Sequence, residues 1–198
     1  MNEKLKDELK RKAVHLLSLI YVFGFWYLPK NIVVWGLAIA IFITACAEFL
    51  RFSVPSLNNF FKNNFKGFYR KEEAHKISAL IGTLSGALLT ILLFDNRYMV
   101  LASFLYLAFG DAAAAIVGKG VGQSGYKIFF HKTLQGSAAC LITCFIIGLF
   151  LFNPIFALLG AVIAALVEAI PWKNDNFWMQ IVNTAALTLL AMLINWKM

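Results

Sequence analysis

Charge is scarce in this chain. Asp, Glu, Lys and Arg make up 14% of its 198 residues and only ten are acids, whereas 61% are hydrophobic and the mean hydropathy is +0.74. That balance excludes a soluble globular domain, because apolar runs of membrane-spanning length recur along the chain. Cysteine is sparse as well. Cys46, Cys140 and Cys144 all lie in apolar runs and share no ligand spacing with histidine, which argues against a disulfide framework and against zinc. The opening MNEKLKDELKRK is charged and no small-residue cleavage site follows the first apolar run, so the N-terminus is expected to be retained.

What is present in abundance is apolar sequence cut into spans. A crossing helix needs roughly 20 apolar residues, and seven stretches approach that length: 13–28, 31–50, 77–94, 98–117, 135–152, 155–170 and 177–196. PKN at 29–31, DNR at 95–97 and NP at 153–154 mark tight hairpins. The predicted fold is all-α, a polytopic membrane bundle of about seven transmembrane helices, with 1–198 as a single integral membrane domain.

Lysine and arginine orient it. Five precede the first span, six lie between Arg51 and Lys76, three between Lys119 and Lys132, and Lys173 makes fifteen; Lys30, Arg97 and Lys197 fall on the opposite side. Cytoplasmic loops retain positive charge, so the N-terminus is expected to be cytoplasmic. The net charge of +8 is then a topology signal with attraction for anionic lipid, and no nucleic-acid partner is needed to explain it. Residues 51–76 mix Phe52, Leu57, Phe60, Phe61, Phe65, Phe68 and Tyr69 with Lys62, Lys66, Arg70 and Lys71, the pattern of a cytoplasmic interfacial segment.

Against this background a few polar residues stand out. Glu48, Asp111 and Glu168 sit at or near the cytoplasmic ends of spans two, four and six, at one depth. Acids within spans are costly and mark functional sites by default. Asp111 follows Gly110 and precedes four alanines, which leaves room for close helix packing or for a ligand; divalent ions carrying nucleotide phosphates are held by one or two carboxylates with phosphate oxygens. Next comes a glycine-rich segment, 118–134, with Gly118, Gly120, Gly122 and Lys119, Lys127, Lys132. It is expected as a cytoplasmic loop able to cradle phosphate. It is neither a Walker A loop, since no glycine directly precedes Lys132, nor a Rossmann fingerprint, since it follows a membrane span. Arg11, Lys12 and His15 lie at the inside end of span one, where a plain membrane anchor is the competing explanation.

Asp111-x-x-Ala114-x-x-x-Gly118-x-x-x-Gly122, followed by Lys132-Thr133-Leu134-Gln135-Gly136-Ser137, resembles the signature of the dolichol kinase, phytol kinase and CTP-dependent diacylglycerol kinase superfamily, relatives of phosphatidate cytidylyltransferases. Arg11-Lys12-x-x-His15 is similar to that family's basic motif, Glu48 to Arg51 to its Glu-x-x-Arg element, and EAIPWKNDN, from Glu168 through Asp175 and Asn176, to its Glu-x-x-Pro…Asp-Asn element.

The resemblance implies transfer of the γ-phosphate of CTP, with Mg²⁺, to the hydroxyl of a membrane lipid: a polyprenol, dolichol, phytol or diacylglycerol. It implies that Asp111 and Glu168 hold the metal and that Gly118, Gly120, Gly122, Lys119, Lys132, Thr133, Gly136 and Ser137 bind nucleotide. Arg11 and Lys12 would balance charge on the transferred group, and Glu168 or Asp175 would polarise the attacking hydroxyl. The site would face the cytoplasm from the cell's inner membrane. Two features depart from the family: Gln135 replaces a usual glutamate, and dolichol kinases carry extra spans before the core. A cytidylyltransferase of lipid phosphates and an isoprenyl monophosphate kinase are the enzymatic alternatives. A transporter fits less well, because the charges gather on one side rather than at the midplane.

Overall fold

The computed structural model describes residues 3–64, 76–121, 125–127, 132–172 and 174–194. They form helices α1 (Glu3–His15), α2 (Leu19–Tyr27), α3 (Lys30–Ser53), α4 (Pro55–Asn64), α5 (Ala79–Leu93), α6 (Arg97–Leu105), α7 (Ala112–Val121), α8 (Leu134–Leu151), α9 (Pro154–Ala169) and α10 (Asp175–Leu193). A 3₁₀ turn, Leu16–Ser18, joins α1 to α2, and a π-helical segment, Tyr106–Asp111, joins α6 to α7. No strand occurs among the described residues, only an isolated antiparallel bridge between Lys127 and Thr133.

The hairpin punctuation works by capping. Asn96 accepts from the backbone N–H groups of Tyr98 and Met99 at the start of α6, and Asn153 accepts from Phe156 at 2.9 Å ahead of Pro154. Each satisfies donors that a helix N-terminus otherwise leaves unpaired.

All seven apolar stretches contain helix, but the lengths differ from expectation. Among the described residues four helices are long and apolar enough to cross a membrane: α3, the continuous Arg97–Val121, α8 and α10. The helices at 77–94 and 155–170 are shorter, and the stretch at 13–28 is divided by the 3₁₀ turn. Summed hydropathy registers apolar residues in the flanking turns as if they were helical. Of the expected interfacial segment, α4 exposes Leu57, Phe60 and Phe61, while 65–75 lie outside the described residues.

The Arg97–Val121 helix is the centre of the bundle: 67% of its apolar window is buried, against 11% in α3, whose Trp35, Phe42 and Phe49 face outward. Helix α10 packs on α5, α6 and α9. Gly82 and Gly86 of α5 permit the first of these contacts, since a Cβ at Gly86 would lie 2.9 Å from the carbonyl oxygen of Phe177. Small residues four apart are the usual device for close helix approach in membranes. Polar side chains bind the seam: Asn176 donates to the Thr83 hydroxyl at 3.0 Å, Gln180 to the Thr83 carbonyl at 2.9 Å, and Thr184 to the Ser103 hydroxyl at 2.6 Å. This buried packing holds α10 beside α9 and the π-helical segment that ends at Asp111.

Candidate functional site

Residues 8, 12 and 15 of α1 are spaced four and three apart and so share one helical face. That face runs antiparallel along the central helix. His15 Nε2 meets the Leu107 carbonyl oxygen at 3.2 Å, the Lys12 ammonium pairs with the Asp111 carboxylate, and Lys119 pairs with Glu8. Arg11 joins the last pair, its Nη1 donating to Glu8 Oε2 at 2.8 Å. Asp111 and Lys12 are both buried, and charges taken out of water must be paired and hydrogen-bonded to be tolerated.

Asp111 is the final residue of the π-helical segment. Such widened turns insert a residue into the helical register and occur often at functional sites. The register change lies within a stretch where Tyr106, Leu107 and Ala108 are fully buried, so the surrounding core fixes the position of the carboxylate.

A second arm comes from the other side of the bundle. Glu168, buried at the end of α9, accepts from the Lys132 ammonium, and its Oε2 is buried without a hydrogen-bond partner among the described residues. The Trp172 indole N–H donates to the Val167 carbonyl at 3.1 Å, shaping the turn into α10 and Asp175. Burial acts to lower the pKa of Lys132, but the Glu168 charge and hydrogen bond, helped by Asp111 and Asp175, prevail and raise it above the ordinary value. Lys132 is therefore an ammonium throughout the physiological range.

Asp111 thus lies within electrostatic reach of Lys12, His15 and Lys132, and Lys132 within reach of Glu168 and Asp175, while Lys119 and Arg11 meet Glu8 one helical turn from Lys12. Thr133 caps α8, its hydroxyl accepting from the Gly136 N–H at 3.2 Å. In the first turn of α8, Gln135 Oε1 and Ser137 Oγ are buried without hydrogen-bond partners among the described residues.

The glycine-rich segment begins differently from the expected loop. Gly118 and Gly120 belong to α7, which continues through Val121, and Gly122 lies outside the described residues. The reason is a helix crossing. A Cβ at Gly136 would lie 2.8 Å from the Ala114 carbonyl oxygen, and one at Gly118 would lie 2.8 Å from Thr133 Oγ1. These two glycines let α7 and α8 approach, whereas Gly120 is exposed.

Glu48 and Arg51 have their own partners: Arg51 Nη2 donates to Glu48 Oε2 at 2.7 Å and to the Lys76 carbonyl at 2.9 Å. The Arg51 guanidinium also lies over the Phe52 ring, 4.4 Å from its centroid. Asn176 is engaged with Thr83 in the α5–α10 seam. Sequence reasoning overlooked Glu8, whose position four residues before Lys12 was the available signal, and the buried Gln180, Asn183 and Thr184 of α10.

Among the described residues no three His, Cys, Asp or Glu side chains converge as a metal-binding group. Mg²⁺ needs fewer protein ligands, being held by one or two carboxylates with substrate phosphates. Asp111 and Glu168 offer an oxygen-only donor set with a buried, unpartnered oxygen on Glu168, and so they fit it.

Over 212 aligned residues the chain is 27% identical to CTP-dependent diacylglycerol kinase 1 of Saccharomyces cerevisiae, covering 90% of this chain and 72% of the yeast protein. It is 28% identical to an uncharacterised protein of Rickettsia prowazekii, covering 80% of this chain and 75% of that one. It is 26% identical to an uncharacterised protein of Methanocaldococcus jannaschii, covering 87% and 88%. No family model and no solved structure matches the chain.

Proposed function

We propose that this protein is a membrane-embedded, CTP-dependent lipid kinase that phosphorylates the hydroxyl of diacylglycerol or of an isoprenoid alcohol. The observation that carries the reading is the convergence of Asp111, Lys12, Lys132, Glu168 and Asp175 at one end of an otherwise apolar bundle. Similarity to the yeast kinase over most of both chains supports it. The charge asymmetry supports a cytoplasmic site, on the side where nucleotide is found, in the cell's inner membrane.

Phosphoryl transfer is chiefly positioning and charge neutralisation. Asp111 and Glu168 would hold Mg²⁺, which would neutralise charge on the nucleotide phosphates. Lys12 and Lys132, which neutralise those two carboxylates, turn to the phosphates. Arg11 and Lys119 add charge at the rim, and the start of α8, with Thr133 and Ser137, supplies hydroxyl donors. Apolar helices hold the lipid tail in the bilayer and present its hydroxyl. That oxygen attacks the γ-phosphorus, the bond to the bridging oxygen breaks, and Asp175 accepts the hydroxyl proton.

The test is product analysis with purified protein in liposomes, using CTP or ATP labelled at the α- or γ-phosphate and a panel of diacylglycerol, polyprenol, phytol and their phosphates. The expected outcome is γ-label on a lipid alcohol with release of nucleoside diphosphate. Pyrophosphate release with α-label on a lipid phosphate would assign cytidylyl transfer instead. Label accepted only by an isoprenyl monophosphate would move the reading to that kinase class.

A further inference from the structure

Glu8 is 2% exposed and has no place in the transfer chemistry described above. A single carboxylate oxygen, Oε2, takes both Arg11 Nη1, at 2.8 Å, and the Lys119 ammonium. Arg11 lies one turn along the same helix. Lys119 lies 111 residues away, in the last turn of α7. One buried anion, a helical turn from Lys12 of the Asp111 cluster, therefore holds both cations.

The charges explain the arrangement. In the Lys12–Asp111 and Lys132–Glu168 pairs, acid and base cancel. In the Glu8 trio two cations meet one anion, leaving a net positive charge at the rim. Both side chains are long, and ordering a rotamer-rich side chain on binding costs roughly 0.5–1.5 kcal/mol. A carboxylate that already fixes them removes part of that cost before an anion arrives.

We propose that Glu8 is a positioning residue for nucleotide, holding Arg11 and Lys119 as a preformed cationic clamp for its phosphates. This rests on the kinase reading. Positioning and simple electrostatics predict opposite signs for Glu8→Gln. Neutralising Glu8 adds one unit of positive charge to the rim, so if net charge alone mattered the variant would bind CTP more tightly. If Glu8 positions the cations, the variant binds CTP more weakly.

The experiment measures CTP binding and steady-state kinetics for wild type, Glu8→Gln and Glu8→Asp in liposomes. Glu8→Asp keeps the charge and shortens the reach. Both variants are expected to raise Kd and KM for CTP by about fivefold or more, with KM for the lipid unchanged, the pattern of a lost nucleotide-specific contact. In a Lys119→Gln background the Glu8→Gln effect should shrink, because the two residues act through one contact. Equal or tighter CTP binding by Glu8→Gln overturns the inference while leaving the kinase reading intact. So does an equal rise in both KM values, or failure of both variants to fold, since either assigns Glu8 to the fold. Wild-type protein that neither binds nor consumes nucleotide overturns the kinase reading and this inference together.

Discussion

Asp111 and Glu48 pose the same question in the sequence: each is an acid within an apolar run. The fold answers differently for each. Glu48 meets Arg51 three residues further along its own helix, a pair that any α-helix would bring together. Asp111 meets Lys12 across 99 residues and shares its surroundings with Lys132 and, through it, Glu168 and Asp175. A local pair can serve as a clip at a helix end, whereas a long-range cluster has been assembled by the whole bundle. Apolar surroundings do not separate the two acids, but the sequence distance of their partners does.

The change that should affect this comparison most is Asp111→Asn. Activity is expected to fall by at least about a hundredfold, the scale at which loss of a transition-state electrostatic contact is felt. The same change leaves the buried Lys12 ammonium without its carboxylate, at a cost of about 3–5 kcal/mol. Adding Lys12→Met should recover the thermal stability and none of the activity. If activity returned along with stability, Asp111 would be a packing residue like Glu48.

Lys132→Ala comes next. Loss of its ammonium should raise KM for CTP about tenfold, the loss of one charge-assisted phosphate contact, and should leave KM for the lipid within about twofold. An equal effect on both would place Lys132 in the fold through Glu168 rather than at the phosphates. A smaller effect is expected at the other pole of the comparison. Glu48→Gln should cost about 1–3 kcal/mol of stability, because the pair is largely buried, and change turnover by less than about threefold, because Arg51 keeps the Lys76 carbonyl and the Phe52 ring. A hundredfold loss there would erase the distinction between clip and cluster.

Why some of this was legible in the sequence and some was not follows from where the partners lie. Asp111, Lys12 and Glu168 were visible because charge is conspicuous in apolar surroundings. Glu8 was hidden in a run of alternating charge that reads as a solvated face, and only the docking of α1 along α7 shows it to be buried. Asn183, fully buried with both amide atoms unpartnered among the described residues, was missed because a hydropathy window averages it into a lipid-facing span. Gly118 and Gly136 were read for phosphate because glycine-rich stretches do two jobs. The 2.8 Å approaches at each position show them in the packing one.

Gln135 tests how far the site depends on an acid in the segment that bridges the two arms. Its Oε1 is buried without a partner in the first turn of α8, so a carboxylate there would face the positive end of a helix dipole, favourable by about 0.3–1 kcal/mol. Lys127 is bridged through its backbone to Thr133, two residues before Gln135. His131 lies outside the described residues. Gln135→Glu is therefore expected to fold and to turn over within about threefold of wild type, since a glutamine hydrogen-bonds but cannot act as a base. The measurement is kcat with CTP and the preferred lipid. A rise of about tenfold, equivalent to about 1.4 kcal/mol off the barrier, would mean that the native glutamine leaves the chemistry short of one carboxylate. The base assigned here to Asp175 would then have to be sought at position 135.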